Sequence, residues 1–278
     1  MLKLGIVADE ISRDFREAVR IGAQAGLRRY EIRFLKSGRA PMCAREELLE
    51  IERIRDGEGL EITALSPGLF KWTDAPEKFD REMAEVFPRS VEWAHRWKLS
   101  ALVVFGFQKP GATEANADTI SSLNPPLWVI DCLAEAAERA AAENLKLLIE
   151  PEPVCWAESG VAMVNLIRRA NPNAIGVNYD PCNVAWALRR DPIDEFDVVA
   201  PFIANVHVKD QLDALIGSGI PEWVVPGEGM IDYCAHFAAL KRIGYDGPVS
   251  LEPHIDGLLE TIRKCKLAVE QMWETDSA

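Results

Sequence analysis

The amino-acid sequence predicts an α/β protein, a (β/α)8 TIM barrel, from three observations. The chain has 278 residues, which suits one barrel of this kind better than two small domains. Eight short apolar runs rich in β-branched residues recur along it, and a charged, amphipathic stretch follows each of them. No linker, low-complexity stretch or sequence repeat divides the chain. We therefore expect one barrel domain over residues 1–278.

The strands and helices alternate in the order that parallel pairing requires. The predicted strands are residues 3–8, 30–34, 61–65, 101–105, 145–150, 175–180, 203–208 and 248–252. The predicted helices are residues 15–25, 46–55, 82–97, 127–142, 161–170, 233–243 and 258–272, with two shorter pieces at 184–188 and 193–199. A doubly wound open sheet shares this alternation. The count of eight strands and the absence of GxGxxG after the first strand favour the closed barrel.

Charge and composition exclude several classes of partner. The formal net charge is −13, so the surface repels phosphate backbones and anionic lipids, and we expect neither nucleic acid nor membrane as a partner. No apolar run is long enough to span a bilayer, and the first residues lack the features of a signal peptide. The six cysteines are scattered without a CxxC pair, as in reduced cytosolic proteins, so we expect a cytoplasmic location.

Four metal-capable side chains mark the last four predicted strands: Glu150, Asp180, His207 and Glu252. In a barrel these strand ends converge on one mouth. Three carboxylates and one imidazole suit Mn²⁺, Mg²⁺ or Co²⁺, with two coordination positions left for adjacent oxygens of a hydroxy-carbonyl substrate. Acidic residues at strand ends also cap the helices that follow, and for any single residue this explanation is equally good. It is weaker for all four, because buried carboxylates without a cation are costly.

Several segments form a series whose order and spacing are informative. They are GIVADEIS, YEIRF, LLIEPEP, NYDPCN, NVHVKD, PGEGMIDY and GYDGPVSLEPH. The series resembles the sugar phosphate isomerase/epimerase-like, or xylose isomerase-like, TIM-barrel superfamily over most of the chain. The resemblance implies metal ligands at Glu150, Asp180, His207 and Glu252, and acid/base roles for Glu150 and Glu252. One position departs from it, since Asn183 stands where many members carry a histidine that contacts substrate.

Five further residues are candidates for contact with substrate: Glu31, Glu152, Asn183, Lys209 and His254. Glu31 projects from the second strand and would contact substrate or support a ligand. Glu152 shares side-chain parity with Glu150, and Lys209 shares it with His207. Lys209 would meet an oxyanion, although a salt bridge at the barrel top explains it slightly better. Aromatic residues after the strands would stack on a sugar or, as the better explanation for each, pack the loops: Phe70, Trp72, Phe107, Trp156, Trp186 and Trp223.

These features favour a divalent-metal-dependent isomerase or epimerase that acts on a ketose or polyol-ketone through an enediolate. Loss of a β-hydroxyl from the same enediolate would instead make the chain a dehydratase, a lyase of an inosose or dehydroshikimate-like substrate, with Lys209 or His254 as the acid. A DNA-repair endonuclease of this superfamily would need more than four histidines and a basic groove. A non-catalytic binding barrel would not need the complete ligand set.

The expected cofactor is one divalent metal ion, Mn²⁺ first, with Mg²⁺, Co²⁺ or Zn²⁺ as alternatives. The expected partner is a small carbohydrate-like molecule. A homodimer is the default expectation for assembly.

Overall fold

Eight parallel strands form the centre of the molecule in this computed structural model, which describes residues 1–113, 124–212 and 221–275. The strands are β1 (Lys3–Val7), β2 (Arg29–Ile32), β3 (Glu61–Leu65), β4 (Ala101–Phe105), β5 (Lys146–Glu150), β6 (Ile175–Tyr179), β7 (Ile203–Val208) and β8 (Pro248–Leu251). Each lies where the sequence predicts it, with ends that differ by a residue or two.

The strands follow one another around a nearly closed barrel. Their order is β3–β2–β1–β8–β7–β6–β5–β4, and β1 pairs with β8 in parallel. The register between β6 and β7 places Asn178 beside Asn205. Between β3 and β4 the described residues form no ladder, but Phe105 N at the end of β4 donates to Leu69 O at 3.0 Å. The predicted (β/α)8 TIM-barrel fold is confirmed.

The helices surround the strands. They are α1 (Phe15–Gln24), α2 (Arg45–Glu58), α3 (Pro76–Trp97), α4 (Leu127–Ala142), α5 (Gly160–Ala170), α6 (Pro181–Leu188), α7 (Phe196–Val199), α8 (Tyr233–Arg242) and α9 (Leu259–Glu274). Of the helices in the described ranges, none has both the length and the hydropathy to cross a membrane.

Most predicted helix ends lie within three residues of the observed ends, and two predicted segments differ more. The sequence pattern begins α3 at residue 82, whereas the helix begins at Pro76, because proline suits the first helical turn. Within residues 76–81 only Phe79 is buried, so this part of the helix shows little apolar periodicity in the sequence. The predicted piece 193–199 divides into a 3₁₀ turn at Ile193–Glu195 and the one-turn helix α7.

The apolar core lies between strands and helices rather than inside the barrel. Side chains alternate along a strand, and Ile149, Val177 and Val206 pack outward with the helices. The opposite faces of the later strands, together with β2, carry buried polar groups: Glu31, Asn178, Asn205, His207 and Ser250. The barrel therefore has a polar interior that leads up to its mouth.

Two short antiparallel pairs follow barrel strands. Phe34–Leu35 pairs with Gly38–Arg39 after β2, and Asp210–Gln211 pairs with Trp223–Val224 after β7. Segments of two residues carry no usable periodicity, so the sequence predicts neither pair. Both pairs contribute residues to the site described below.

A buried series of side-chain hydrogen bonds joins β6 to α8 outside the barrel. The Tyr179 hydroxyl lies 2.6 Å from His236 Nδ1, and His236 Nε2 lies 2.9 Å from Asp191 Oδ1. Tyr179 and His236 are both almost fully buried. A buried polar group without a partner costs free energy of folding, so these hydrogen bonds hold α8 against the barrel.

Replacing the Tyr179 hydroxyl tests this connection. Tyr179→Phe leaves the buried His236 Nδ1 without a partner, so we expect the free energy of unfolding in urea to fall by about 1–3 kcal/mol. Tyr245→Phe is the matched control, because Tyr245 is partly exposed and its hydroxyl donates to Pro248 O. Water can replace that bond, so we expect a smaller loss. Equal losses in the two variants would contradict the role assigned to these buried hydrogen bonds.

Candidate metal centre and active site

The four predicted metal ligands converge at the mouth of the barrel. Glu150 is the last residue of β5, and His207 lies within β7. Asp180 and Glu252 directly follow β6 and β8. One potential ligand atom from each residue lies within 4.8 Å of the other three. All four residues are at most 5% exposed, so their charges are compensated inside the protein or by a bound cation.

Asp180 caps a helix and also faces the cluster. Pro181 ends β6 and begins α6, and Asp180 Oδ1 accepts a hydrogen bond from Asn183 N at 2.9 Å. Oδ2 points to the other side, where it lies 2.5 Å from Lys209 Nζ. The capping explanation is therefore correct for Asp180, and it leaves Oδ2 available to a cation.

His207 is held so that one ring nitrogen faces the cluster. Its Nε2 lies 2.9 Å from Glu31 Oε2, which also accepts a hydrogen bond from Asn205 Nδ2 at 3.2 Å. Its Nδ1 lies 3.2 Å from Glu252 Oε2. A carboxylate behind a histidine orients the ring and fixes which nitrogen is free to bind a metal. Of the two roles predicted for Glu31, the structure favours support of a ligand, because Glu31 lies behind His207 and is not among the residues of the cavity wall.

A divalent cation fits this set of donors. Metal–ligand bonds of about 2.0–2.2 Å place opposite ligand atoms roughly 4.2 Å apart. Atoms within 4.8 Å of one another therefore need only small shifts to coordinate one ion. Nδ1 of His207 is 3.8 Å from Glu150 Oε1, so the imidazole and the carboxylates already face a common centre. Three carboxylates and one imidazole are ligands that Mn²⁺, Mg²⁺ and Co²⁺ accept.

Lys209 contributes a positive charge to the same cluster. Its Nζ lies 2.5 Å from Asp180 Oδ2 and 2.7 Å from Glu252 Oε2, and the residue is 1% exposed. Burial alone would lower the pKa of the ammonium, but Asp180 and Glu252 raise it well above its usual value. The salt-bridge explanation of Lys209 is therefore correct, and a bound ion would share these oxygens with the ammonium.

The two carboxylates that contact Lys209 differ in electrostatics. Burial by itself would raise the pKa of Glu252, but Lys209, His254 and His207 hold that pKa well below its usual range. At Asp180, burial outweighs the attraction of Lys209 and raises the pKa. Glu252 is thus the more firmly ionised of the two.

A cavity of about 370 Å³ opens above the cluster at the C-terminal ends of the strands. Four predicted substrate contacts line it: Glu152, Asn183, Lys209 and His254. Asn183 Nδ2 donates to Pro151 O at 2.8 Å, which turns its amide towards the Glu150 carboxylate. His254 Nδ1 lies 3.0 Å from Glu10 Oε1, and its ring packs edge-on against Trp223.

Sequence patterns missed three basic residues of the cavity wall: Arg33, Arg39 and Lys71. Arg33 hydrogen-bonds to Glu252, to Asp9 and to Glu10. Its position, two residues after Glu31 with the same side-chain parity, was a signal that could have found it. Arg39 and Lys71 lie in connections after β2 and β3, where no periodicity marks them.

The predicted aromatic residues divide into two groups. Trp72, Trp186 and Trp223 line the cavity. Phe70 and Phe107 are fully buried and stack on each other with ring centroids 4.7 Å apart, so they pack the loops. Trp156 is also buried and does not line the cavity.

Protonation of His207 is expected to couple metal binding to pH. Burial opposes the charged ring, but Glu31 and Glu252 raise the His207 pKa well above its usual value, so the metal-free protein holds an imidazolium at neutral pH. A metal ion must displace the Nδ1 proton, so we expect Mn²⁺ affinity to rise as pH increases between about 6 and 8. Over the same window the metal-free protein loses stability, because a raised histidine pKa stabilises only below that pKa.

Calorimetric titration with Mn²⁺ across this pH range measures the coupling. His207→Gln is the control, because it keeps a donor atom and removes the titrating group, and we expect weaker binding with a flatter pH profile. Binding by the parent protein that does not change with pH would contradict displacement of a proton from His207.

Comparison with known proteins identifies the family. The family model described as xylose isomerase-like TIM barrel matches residues 19–274, and the chain belongs to this family. The IOLI protein, solved with a zinc atom bound, superposes with a TM-score of 0.74 at 18% identity, covering 98% of both chains. This likeness supports the barrel fold.

Two curated relatives share part of the sequence. A 3-dehydroshikimate dehydratase of Pseudomonas aeruginosa is 30% identical over 144 residues, which is 49% of this chain and 22% of that enzyme. An inosose isomerase of Bacillus subtilis is 29% identical over 127 residues, which is 44% of this chain and 45% of that enzyme. The matches thus span less than half the length of either relative.

Proposed function

We propose that this member of the xylose isomerase-like TIM-barrel family is a divalent-metal-dependent isomerase or epimerase of a ketose or polyol-ketone. The observation that carries the proposal is the convergence of Glu150, Asp180, His207 and Glu252 beneath one cavity. These residues would hold a divalent ion, which would supply Lewis-acid stabilisation of the negative charge that develops on a substrate carbonyl oxygen. The similarity to an inosose isomerase supports the isomerase class.

In this proposal the two glutamates move the proton. Glu252, directly after β8, and Glu150, at the end of β5, both line the cavity and would approach a bound substrate from different sides. Glu252 removes the proton next to the carbonyl, an assignment that rests on the family resemblance, and Glu150 serves the other face. Arg33 and Lys209 each contact one Glu252 oxygen and fix the carboxylate in place.

The remaining site residues hold the substrate and the ligands. Glu152, Asn183, Lys209 and His254 contact substrate from the cavity wall, and Glu31 positions His207 through its Nε2. Mn²⁺ is the proposed ion, with Mg²⁺, Co²⁺ or Zn²⁺ as alternatives. The substrate is a small carbohydrate-like molecule, without nucleic acid or membrane as partners. The further proposals are a single domain over residues 1–278, a homodimer and a cytoplasmic location.

A dehydratase is the second candidate, and the position of His254 on the cavity wall next to Glu252 favours it. Nε2 of His254 lies 3.7 Å from Glu252 Oε1 on the cavity wall, and the side chain is partly exposed there. An acid at this point could protonate a departing β-hydroxyl after Glu252 has removed the neighbouring proton. Lys209 is less suited to that step, because two carboxylates hold its ammonium. The similarity to a 3-dehydroshikimate dehydratase supports this candidate.

The test separates proton abstraction from the outcome of the reaction. A panel of ketoses, inososes and keto acids is incubated with Mn²⁺-loaded protein in D₂O. Deuterium in recovered substrate reports abstraction, rearranged products identify an isomerase or epimerase, and loss of water identifies a dehydratase. We expect Glu150→Gln and Glu252→Gln each to reduce turnover by about 10²–10⁴-fold at saturating Mn²⁺, because an amide is a negligible base.

Exchange and turnover are measured separately in each variant. Exchange should fall most in Glu252→Gln. Glu46→Gln, an exposed position on α2, is the matched control and should behave as the parent. Near-normal exchange in both active-site variants would remove the two glutamates from the proton-transfer step.

A further inference from the structure

We infer that Arg39 binds a carboxylate group of the substrate, so the molecule that this site turns over is a polyhydroxylated keto acid rather than a neutral sugar. This inference rests on the proposed function for the position of the carbonyl. It concerns a part of the cavity that the metal ligands do not reach. Arg39 belongs to the short pair that follows β2 and lines the cavity together with Glu150 and Glu252.

Arg39 differs from every other basic residue of the cavity wall in the described part of the chain. The others each lie within 4 Å of a carboxylate: Arg33 with Asp9, Lys71 with Glu152, His207 with Glu31, Lys209 with Asp180 and His254 with Glu10. Among the described residues, Arg39 donates hydrogen bonds to Ser66 alone. Its Nε donates to the backbone oxygen of Ser66 and its Nη2 donates to the Ser66 Oγ, both at 3.0 Å. Its positive charge has no carboxylate partner there.

The surroundings of Arg39 would favour an anion beside it. Burial, followed by repulsion from Arg33, lowers the pKa of Arg39 to about 10, while Glu150, Asp9 and Glu252 partly oppose that shift. Arg39 is half-buried, and a charge that has lost part of its hydration is normally paired. An anionic ligand would supply the missing partner through a charge-assisted hydrogen bond.

The guanidinium is also held in place before any ligand arrives. The ring of Phe34 lies 4.9 Å from it and the ring of Phe105 lies 6.0 Å from it. Gly68 leaves the space that it occupies, since a Cβ there would stand 2.6 Å from Arg39 Nε. The bonds to Ser66 use Nε and Nη2, which leaves Nη1 for a further acceptor.

Charge balance favours a carboxylate over a phosphate. One unpaired guanidinium matches one negative charge, whereas a phosphate monoester carries close to two at neutral pH. Lys71, which lies over the same Phe105 ring as Arg39, is already paired with Glu152 at 2.8 Å. With its carboxylate on Arg39, a substrate that fits about 370 Å³ can place its carbonyl and adjacent hydroxyl over the metal ligands.

Three ring polyols that differ in one substituent test the inference. They are quinate, which carries a carboxylate; myo-inositol, which is uncharged; and inositol monophosphate. Their dissociation constants are measured by calorimetry with the full chain, both Mn²⁺-loaded and metal-free. We expect quinate to bind about 10- to 100-fold more tightly than myo-inositol, and we expect Arg39→Met to bring the ratio of the two dissociation constants close to one.

Arg13→Met is the matched control, because Arg13 lies over the same Phe34 ring at 5.0 Å but is exposed and does not line the cavity. It should keep the quinate preference. If Arg39→Met does not fold, Arg39→Lys decides the question, because it keeps the charge without the planar fork and should weaken quinate binding several-fold.

Three results would overturn the inference. They are equal binding of quinate and myo-inositol by the parent, a quinate preference that survives both Arg39 substitutions, and a stronger preference for inositol monophosphate that depends on Arg39. Failure of the proposed function looks different. In that case quinate would still bind through Arg39 in metal-free protein, but no substrate would exchange deuterium with solvent.

Discussion

Burial of several carboxylates at one end of the barrel is the constraint on which the rest of the site depends. Glu150, Asp180 and Glu252 lie almost without contact to water, and Glu31 lies directly behind them. Such a group is stable only if cations surround it. Lys209 supplies one of them, and a divalent metal ion would complete the compensation. The burial of these carboxylates around a common centre therefore prepares the cluster for a metal.

The topology explains why these residues meet. Strands that are neighbours in sequence are neighbours in the barrel, so one side chain at the end of each strand reaches a common mouth. The alternation of side chains then separates two functions, since outward residues such as Val206 build the apolar core and inward ones such as His207 build the site. The contact from Glu31 on β2 to His207 on β7 crosses the interior, which only a curved sheet allows.

Sequence patterns predicted the fold and the convergence of Glu150, Asp180, His207 and Glu252, because both depend on periodicity and strand order, which a single sequence displays. The role of Glu31 was left open between two alternatives, because sequence shows the direction of its side chain but not that His207 lies opposite. Arg39 was missed for a different reason. It stands in a two-residue strand after β2, and its importance arises only from what surrounds it in space: a glycine and two aromatic rings.

The central claim is that one divalent ion occupies the centre of Glu150, Asp180, His207 and Glu252. The most direct measurement is elemental analysis of protein loaded with Mn²⁺ and freed of unbound metal, for the parent and for the variants Asp180→Ala and His207→Ala. The account predicts one ion per chain in the parent and a clear loss of metal in both variants. The same metal content in all three proteins would contradict it.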